Sequence, residues 1–204
     1  MVDDFSRSTW VFLMQHKSEV NTIITYFFKL VEKQFHTQIQ KIQFDNGREF
    51  FNSQTREFLK NLGVLQQSSC IYPPQQNGVV ERKHRHLLNV AHALHFQSNL
   101  PLNFWGDFVL TVAYLINRLP TNVLKCHTPH EILFNKKPKL SHLRVFGCLV
   151  YDHNTHITHK FDERASPGVF LGYPHGKKGY KIFDLSSKKI YVTRDANFHE
   201  TIFP

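Results

Sequence analysis

With 204 residues, 41% of them hydrophobic and 14% aromatic, the chain can bury one core of ordinary size and a smaller second one, which excludes a disordered or fibrous protein. Its 25 Lys and Arg against 16 Asp and Glu leave a net charge of +9, a balance suited to a polyanionic partner. Cys70, Cys126 and Cys148 lie far apart without a CxxC pair, which argues against a disulfide framework or zinc finger and for reduced thiols in an intracellular protein; no membrane span or signal peptide is expected either.

Residues 1–14 read as two strand-like pieces joined by a bend at Phe5-Ser6-Arg7-Ser8. Residues 17–35 form a first amphipathic helix, capped by Ser18, with Val20, Ile23, Ile24, Phe27 and Val31 on one face. Residues 38–44 suit a short buried strand that Asn46-Gly47 ends, because both tolerate positive φ. Asp45 therefore stands at a strand's carboxyl end, where ligands approach open α/β sheets. A short helix from Asn52 or Ser53 to Leu62, stopped by Gly63, leads to a strand at 64–68.

Pro73-Pro74-Gln75-Gln76-Asn77-Gly78 reads as a loop. After it, residues 79–96 contain no Pro or Gly and place Val80, Leu87, Leu88, Ala91 and Leu94 near helical spacing. Glu81 lies in the first turn, which favours negative charge. Arg82, Lys83, His84, Arg85 and His86 follow as a cationic run, usually a solvated face but also suited to phosphate contacts. A second helix starts near Pro101, with Trp105 expected in its packing, and ends by Pro120. Residues 121–142 are poor in regular pattern and read as a basic connector.

From Leu143 the pattern changes to five short strands, near 144–151, 168–173, 179–184, 189–193 and 196–198, which suggests a small all-β barrel. Lys177, Lys178, Lys181, Lys188 and Lys189 make either a nucleic-acid-facing edge or a solubilising one. His153, His156 and His159 recur at every third position, a spacing that does not share one strand face, so zinc is not expected there.

Asp45 and Glu81 are separated by 35 residues. Two carboxylates can hold Mg²⁺, a hard cation often bound by one or two carboxylates plus phosphate oxygens. Two such ions stabilise both oxygens of an in-line phosphoryl displacement. The plainer alternative is that Asp45 caps a turn and Glu81 caps a helix.

The stretches DNGREF at 45–50, PPQQNGVVERKHRHL at 73–87 and VDDFSRSTWVFL at 2–13 together resemble the integrase core of copia-type LTR retrotransposon Pol polyproteins. LRVFGCLVY, KFDERA, GVFLGY and KGYKIFDL resemble the SH3-like domain that follows it. The resemblance implies an α/β ribonuclease H-like core at 1–120, a connector at 121–142 and an SH3-like barrel at 143–204. It implies an Asp, Asp-35-Glu triad in which Asp45 is the second acid and Glu81 the third. The family's first strand and first acid would lie upstream of Val2-Asp3-Asp4, so the first strand of the core is expected to be missing.

By the same resemblance the activity is metal-dependent strand transfer joining element DNA to target DNA. The cofactor would be Mg²⁺ or Mn²⁺ in a two-metal site held by Asp45 and Glu81. Arg85 resembles a basic position that contacts DNA ends, with Lys83 and Arg82 beside it and Lys177 and Lys178 on the second domain. The partners would be DNA and further copies of the chain, and the location nuclear. With one acid lacking, this stretch alone is expected to be inactive. The alternative is a non-catalytic DNA-binding or interaction remnant. Arg48 departs from the family's usual Gly, and His92 from its common Arg.

Overall fold

The computed structural model describes residues 1–45, 47–68, 78–154, 159–161 and 163–204, the side chain of Arg48 excepted. The expectations for Asn46, Cys70, the 73–77 part of the loop, His156 and Asp162 lie outside these residues, as does the side chain of Arg48. The described chain forms two compact units, Phe12–Lys83 and Met1–Val11 with His84–Pro204.

In the unit Phe12–Lys83, a 3₁₀ turn at Lys17–Glu19 leads into α1, Val20–Phe35. The start is fixed by Glu19 rather than the expected Ser18. Its Oε1 accepts the His16 N–H at 2.9 Å, satisfying a donor that the helix leaves free. α1 buries Val20, Ile24, Phe27, Phe28 and Val31, a stripe at helical spacing. Strand β1, Lys41–Phe44, pairs in parallel with β2, Leu65–Ser68, so that Lys41 faces Leu65 and Phe44 faces Ser68. Between them runs α2, Ser53–Asn61, capped as its sequence indicates: Asn52 Oδ1 accepts the Thr55 N–H at 2.7 Å. Gly63 follows at φ +67°, a left-handed position that suits glycine. Phe44 stacks on Phe50, and Leu59 and Phe28 complete the core.

The other unit starts with the N-terminal hairpin. Its ladder is short: Val2 bridges Thr9, and the Trp10 N–H donates to the Met1 carbonyl. Asp3 tightens the turn by accepting from both the N–H and the hydroxyl of Ser6, at 2.8 and 2.6 Å. The amide of Asn117 then takes the place of a third strand. It accepts the Thr9 N–H at 2.9 Å and donates to the Thr9 carbonyl at 2.8 Å.

Helix α3 is Gly78–Ser98, and the boundary between the units falls within it, after Lys83. α4 is Trp105–Ile116, entered through a 3₁₀ turn at Leu102–Phe104. Trp105 departs from the packing expected of it: 51% of it is exposed, while Phe108, Val112 and Ile116 take the buried face. The connector is more regular than its composition suggests. It holds a 3₁₀ turn at Asn122–Leu124 and a helix α5, Pro129–Phe134. Thr128 caps α5 by accepting the Glu131 N–H at 3.0 Å.

Five strands follow: β3 (Leu149–His153), β4 (Ala165–Gly172), β5 (Tyr180–Asp184), β6 (Ile190–Thr193) and β7 (Ala196–His199). They make one antiparallel sheet in the order β6-β5-β4-β3-β7. β3 starts later than its sequence suggests. Gly147 holds φ +80° and lies so close to α3 that a Cβ on it would stand 2.2 Å from Ser98 Cβ. Gly172 makes a second close approach, where a Cβ would meet Thr111 Oγ1 at 2.1 Å. The sheet and helices share one core, in which Leu87 and Ala91 of α3 and Phe108 and Val112 of α4 pack with Phe146, Val169 and Leu171.

Candidate functional site

The two candidate acids lie at the end of β1 and at the start of α3, both in the unit Phe12–Lys83. Asp45 follows β1 directly and is exposed. The Gly47 N–H donates to its Oδ1 at 3.2 Å, an Asx-type turn that orients the carboxylate. Glu49, which sequence reasoning did not single out, turns back toward the same glycine: a Cβ on Gly47 would stand 3.0 Å from the Glu49 carboxyl and 3.1 Å from Asp45 Oδ1. Lys17 lies 3.5 Å from Glu49. A bond from its own backbone N–H, helped by Lys17, holds the Glu49 carboxyl below the usual range. The Glu49 of DNGREF, two residues beyond the turn glycine, was the signal available in the sequence.

Glu81 lies in the first turn of α3, as expected, and is exposed. Among the described residues no ion pair engages Asp45 or Glu81. Nor is there a group of three or more His, Cys, Asp or Glu among those residues placed to hold a metal. The pair nonetheless offers the donor chemistry that a hard divalent cation takes: exposed, anionic oxygens, with water and phosphate left to complete the shell.

The cations follow on α3. The Arg82 guanidinium folds back over Gly78, where a Cβ would stand 2.9 Å from Nη1. Lys83 is partly covered, and Arg85 is exposed one turn beyond Glu81 on the same helix. On the sheet, Lys177 and Lys178 are exposed on the turn before β5, and the structure brings them together with Arg194, which the sequence reading passed over. No helix among the described residues is long and apolar enough to cross a membrane.

A family model described as integrase core domain matches residues 1–74, and one described as retroviral polymerase SH3-like domain matches residues 148–204. The chain is 33% identical, over 98% of its length, to the retrovirus-related Pol polyprotein from transposon TNT 1-94 of Nicotiana tabacum. It is 35% identical, over its whole length, to the retrovirus-related Pol polyprotein from transposon RE1 of Arabidopsis thaliana. It spans 15% and 14% of the length of those two polyproteins.

Among solved structures, it is similar to the HTLV-2 integrase catalytic core domain in complex with magnesium, in trimeric form. The TM-score is 0.50 at 20% identity, covering 64% of this chain and 80% of that one. It is also similar to a chain of the simian T-cell lymphotropic virus intasome in complex with PP2A regulatory subunit B56 gamma. There the TM-score is 0.54 at 16% identity, covering 97% of this chain and 70% of that one. At these identities the likenesses carry the fold alone: an α/β ribonuclease H-like core, here followed by a five-stranded sheet of the SH3-like kind.

Proposed function

The chain belongs to the integrase core and SH3-like region of retrotransposon Pol polyproteins, and from that premise we propose that it is the DNA-handling part of an integrase, with Asp45 and Glu81 as its metal-binding acids. The observation that carries this reading is an acid that directly follows β1 and an acid in the first turn of α3, with 35 residues between them. Asp45 and Glu81 would hold Mg²⁺ or Mn²⁺ between them. Bound there, the cation supplies charge neutralisation and Lewis acidity at a phosphodiester. Asp45 meets it pre-oriented by the Gly47 N–H, and Glu81 from a helix start that favours its charge.

Arg85, with Arg82 and Lys83, takes the phosphates that follow α3, and Lys177 and Lys178 take those along the sheet. The functional division we propose is a catalytic core at 1–120, a connector at 121–142 and a nucleic-acid-binding SH3-like domain at 143–204. Further copies of the chain and a nuclear location belong to the same reading. By themselves the 204 residues are proposed to bind DNA and metal without joining DNA ends.

The test is DNA binding by the 204-residue chain with and without Mg²⁺, beside a strand-transfer assay on element-end duplexes. Mg²⁺ is expected to tighten binding, Glu81→Gln to remove that effect, and no joined product to form. Binding that ignores both Mg²⁺ and Glu81→Gln supports a non-catalytic remnant instead. Joined product that disappears in Asp45→Asn overturns the expected inactivity.

A further inference from the structure

Where the connector meets the sheet, α4 is joined to the strands by a group of rings that the proposed function does not use. Tyr114 of α4 stacks on Tyr173, the residue after β4, with ring centroids 4.2 Å apart. The Arg118 guanidinium lies over the Tyr114 ring, 3.4 Å from its centroid, and donates to the Tyr114 carbonyl at 2.9 Å. His142 stands edge-on to both tyrosines, and its Nε2 shares a hydrogen bond of 2.7 Å with the Tyr114 hydroxyl. The His142 carbonyl accepts the Tyr180 hydroxyl of β5 at 3.2 Å. The Tyr173 hydroxyl accepts the Arg144 N–H at 2.9 Å. One histidine thus meets α4, the end of β4, and β5.

The charge around this imidazole is one-sided. Arg118 comes from just beyond α4 and Arg144 from two residues along the chain, while Tyr114, Tyr173 and Tyr180 bring hydroxyls rather than carboxylates. Glu200 is paired with Arg144 at 3.7 Å, and among the described residues no ion pair engages His142. His130 of α5 is exposed to the same Arg118 charge. Burial first, then Arg118 and Arg144, holds the His142 imidazole below its ordinary 6.5. A neutral ring can accept the Tyr114 hydroxyl, whereas an imidazolium can only donate and adds a third cation beside two arginines.

We propose that this group is a pH-sensitive clasp: with His142 neutral it holds the ends of β4 and β5 on α4, and with His142 protonated it loosens that hold. The folded chain binds the His142 proton more weakly than the unfolded chain does. The clasp's contribution is therefore complete above pH 6.5 and is lost as pH falls below it. The device needs no ligand and is independent of the metal-binding reading of Asp45 and Glu81.

The test is hydrogen exchange of the full chain at about pH 7.5 and about pH 5.5, corrected for intrinsic rates, a window that spans the ordinary charge change of histidine. The readout is the peptide containing the Arg144 N–H, whose acceptor belongs to the clasp. In the unaltered chain this peptide is expected to exchange several-fold faster at the lower pH; equal protection at both overturns the proposal. His142→Gln, neutral throughout, is expected to abolish the difference, and a difference that persists overturns it. His130→Gln is expected to keep the difference, and its disappearance there moves the switch to α5 and overturns the assignment to His142. Tyr114→Phe keeps the ring stack without the hydroxyl and is expected to raise exchange at pH 7.5 toward the acid level; rates unchanged at both pH values contradict the clasp without relying on a histidine variant.

Discussion

Asp45 shows how much a single residue's surroundings decide. Its strand-end position was legible because Phe44 ends an apolar alternation and a turn pair follows. The return of Glu49 toward the same glycine was not, because it depends on the 3₁₀ turn at Arg48–Phe50. The cysteines give the sharpest contrast at this scale. Cys126 is exposed, whereas Cys148 is fully buried between the turn at Gly147 and β3. Burial, then the nearby Glu200 charge, pushes the Cys148 thiol from its ordinary 9.0 up to about 11. The reactive species is the thiolate, so Cys148 is expected to resist iodoacetamide at pH 8 in the folded chain while Cys126 is modified. Peptide mass mapping before and after denaturation reads this directly. Because the folded thiol holds its proton more tightly than the unfolded one, its contribution is intact below pH 9 and is lost as pH rises toward 11.

Single elements were read well where a local signal sufficed. Asn52 caps α2 and Gly63 follows it, both as their side chains, or lack of one, dictate. Asn52→Ala is expected to cost about 1 kcal/mol in a denaturation midpoint, since it strips Thr55 of its acceptor. α5 was missed, although Thr128-Pro129-His130-Glu131 carries both a capping threonine and a first-turn proline. Its composition resembled a connector, and six residues are too few for periodicity to show. The late start of β3 was beyond the sequence for another reason. The left-handed Gly147 answers to Ser98, 49 residues earlier in the chain, and no local pattern reports such a contact.

At the scale of the molecule, packing does not follow the order of the chain. Val169, Leu171 and Phe146 of the sheet region bury themselves against α3 and α4, and Lys181 pairs with Asp107 of α4 at 2.6 Å. Each large apolar side chain uncovered forfeits about 1.5–3 kcal/mol, against a net stability of about 5–15 kcal/mol for a whole domain. A fragment of residues 143–204 is therefore expected to lack the cooperative thermal transition of the full chain; a sharp transition in the fragment would show the sheet to be self-sufficient. The claim on which the functional account stands is that Asp45 and Glu81 serve one cation. Ferrous ion placed at such a site generates hydroxyl radicals that cut the polypeptide nearby. Cuts are expected to cluster at both residue 45 and residue 81, to be suppressed by excess Mg²⁺ and to be lost from both places in Asp45→Asn. Cuts at only one of the two, or a pattern that Asp45→Asn leaves unchanged, would contradict it.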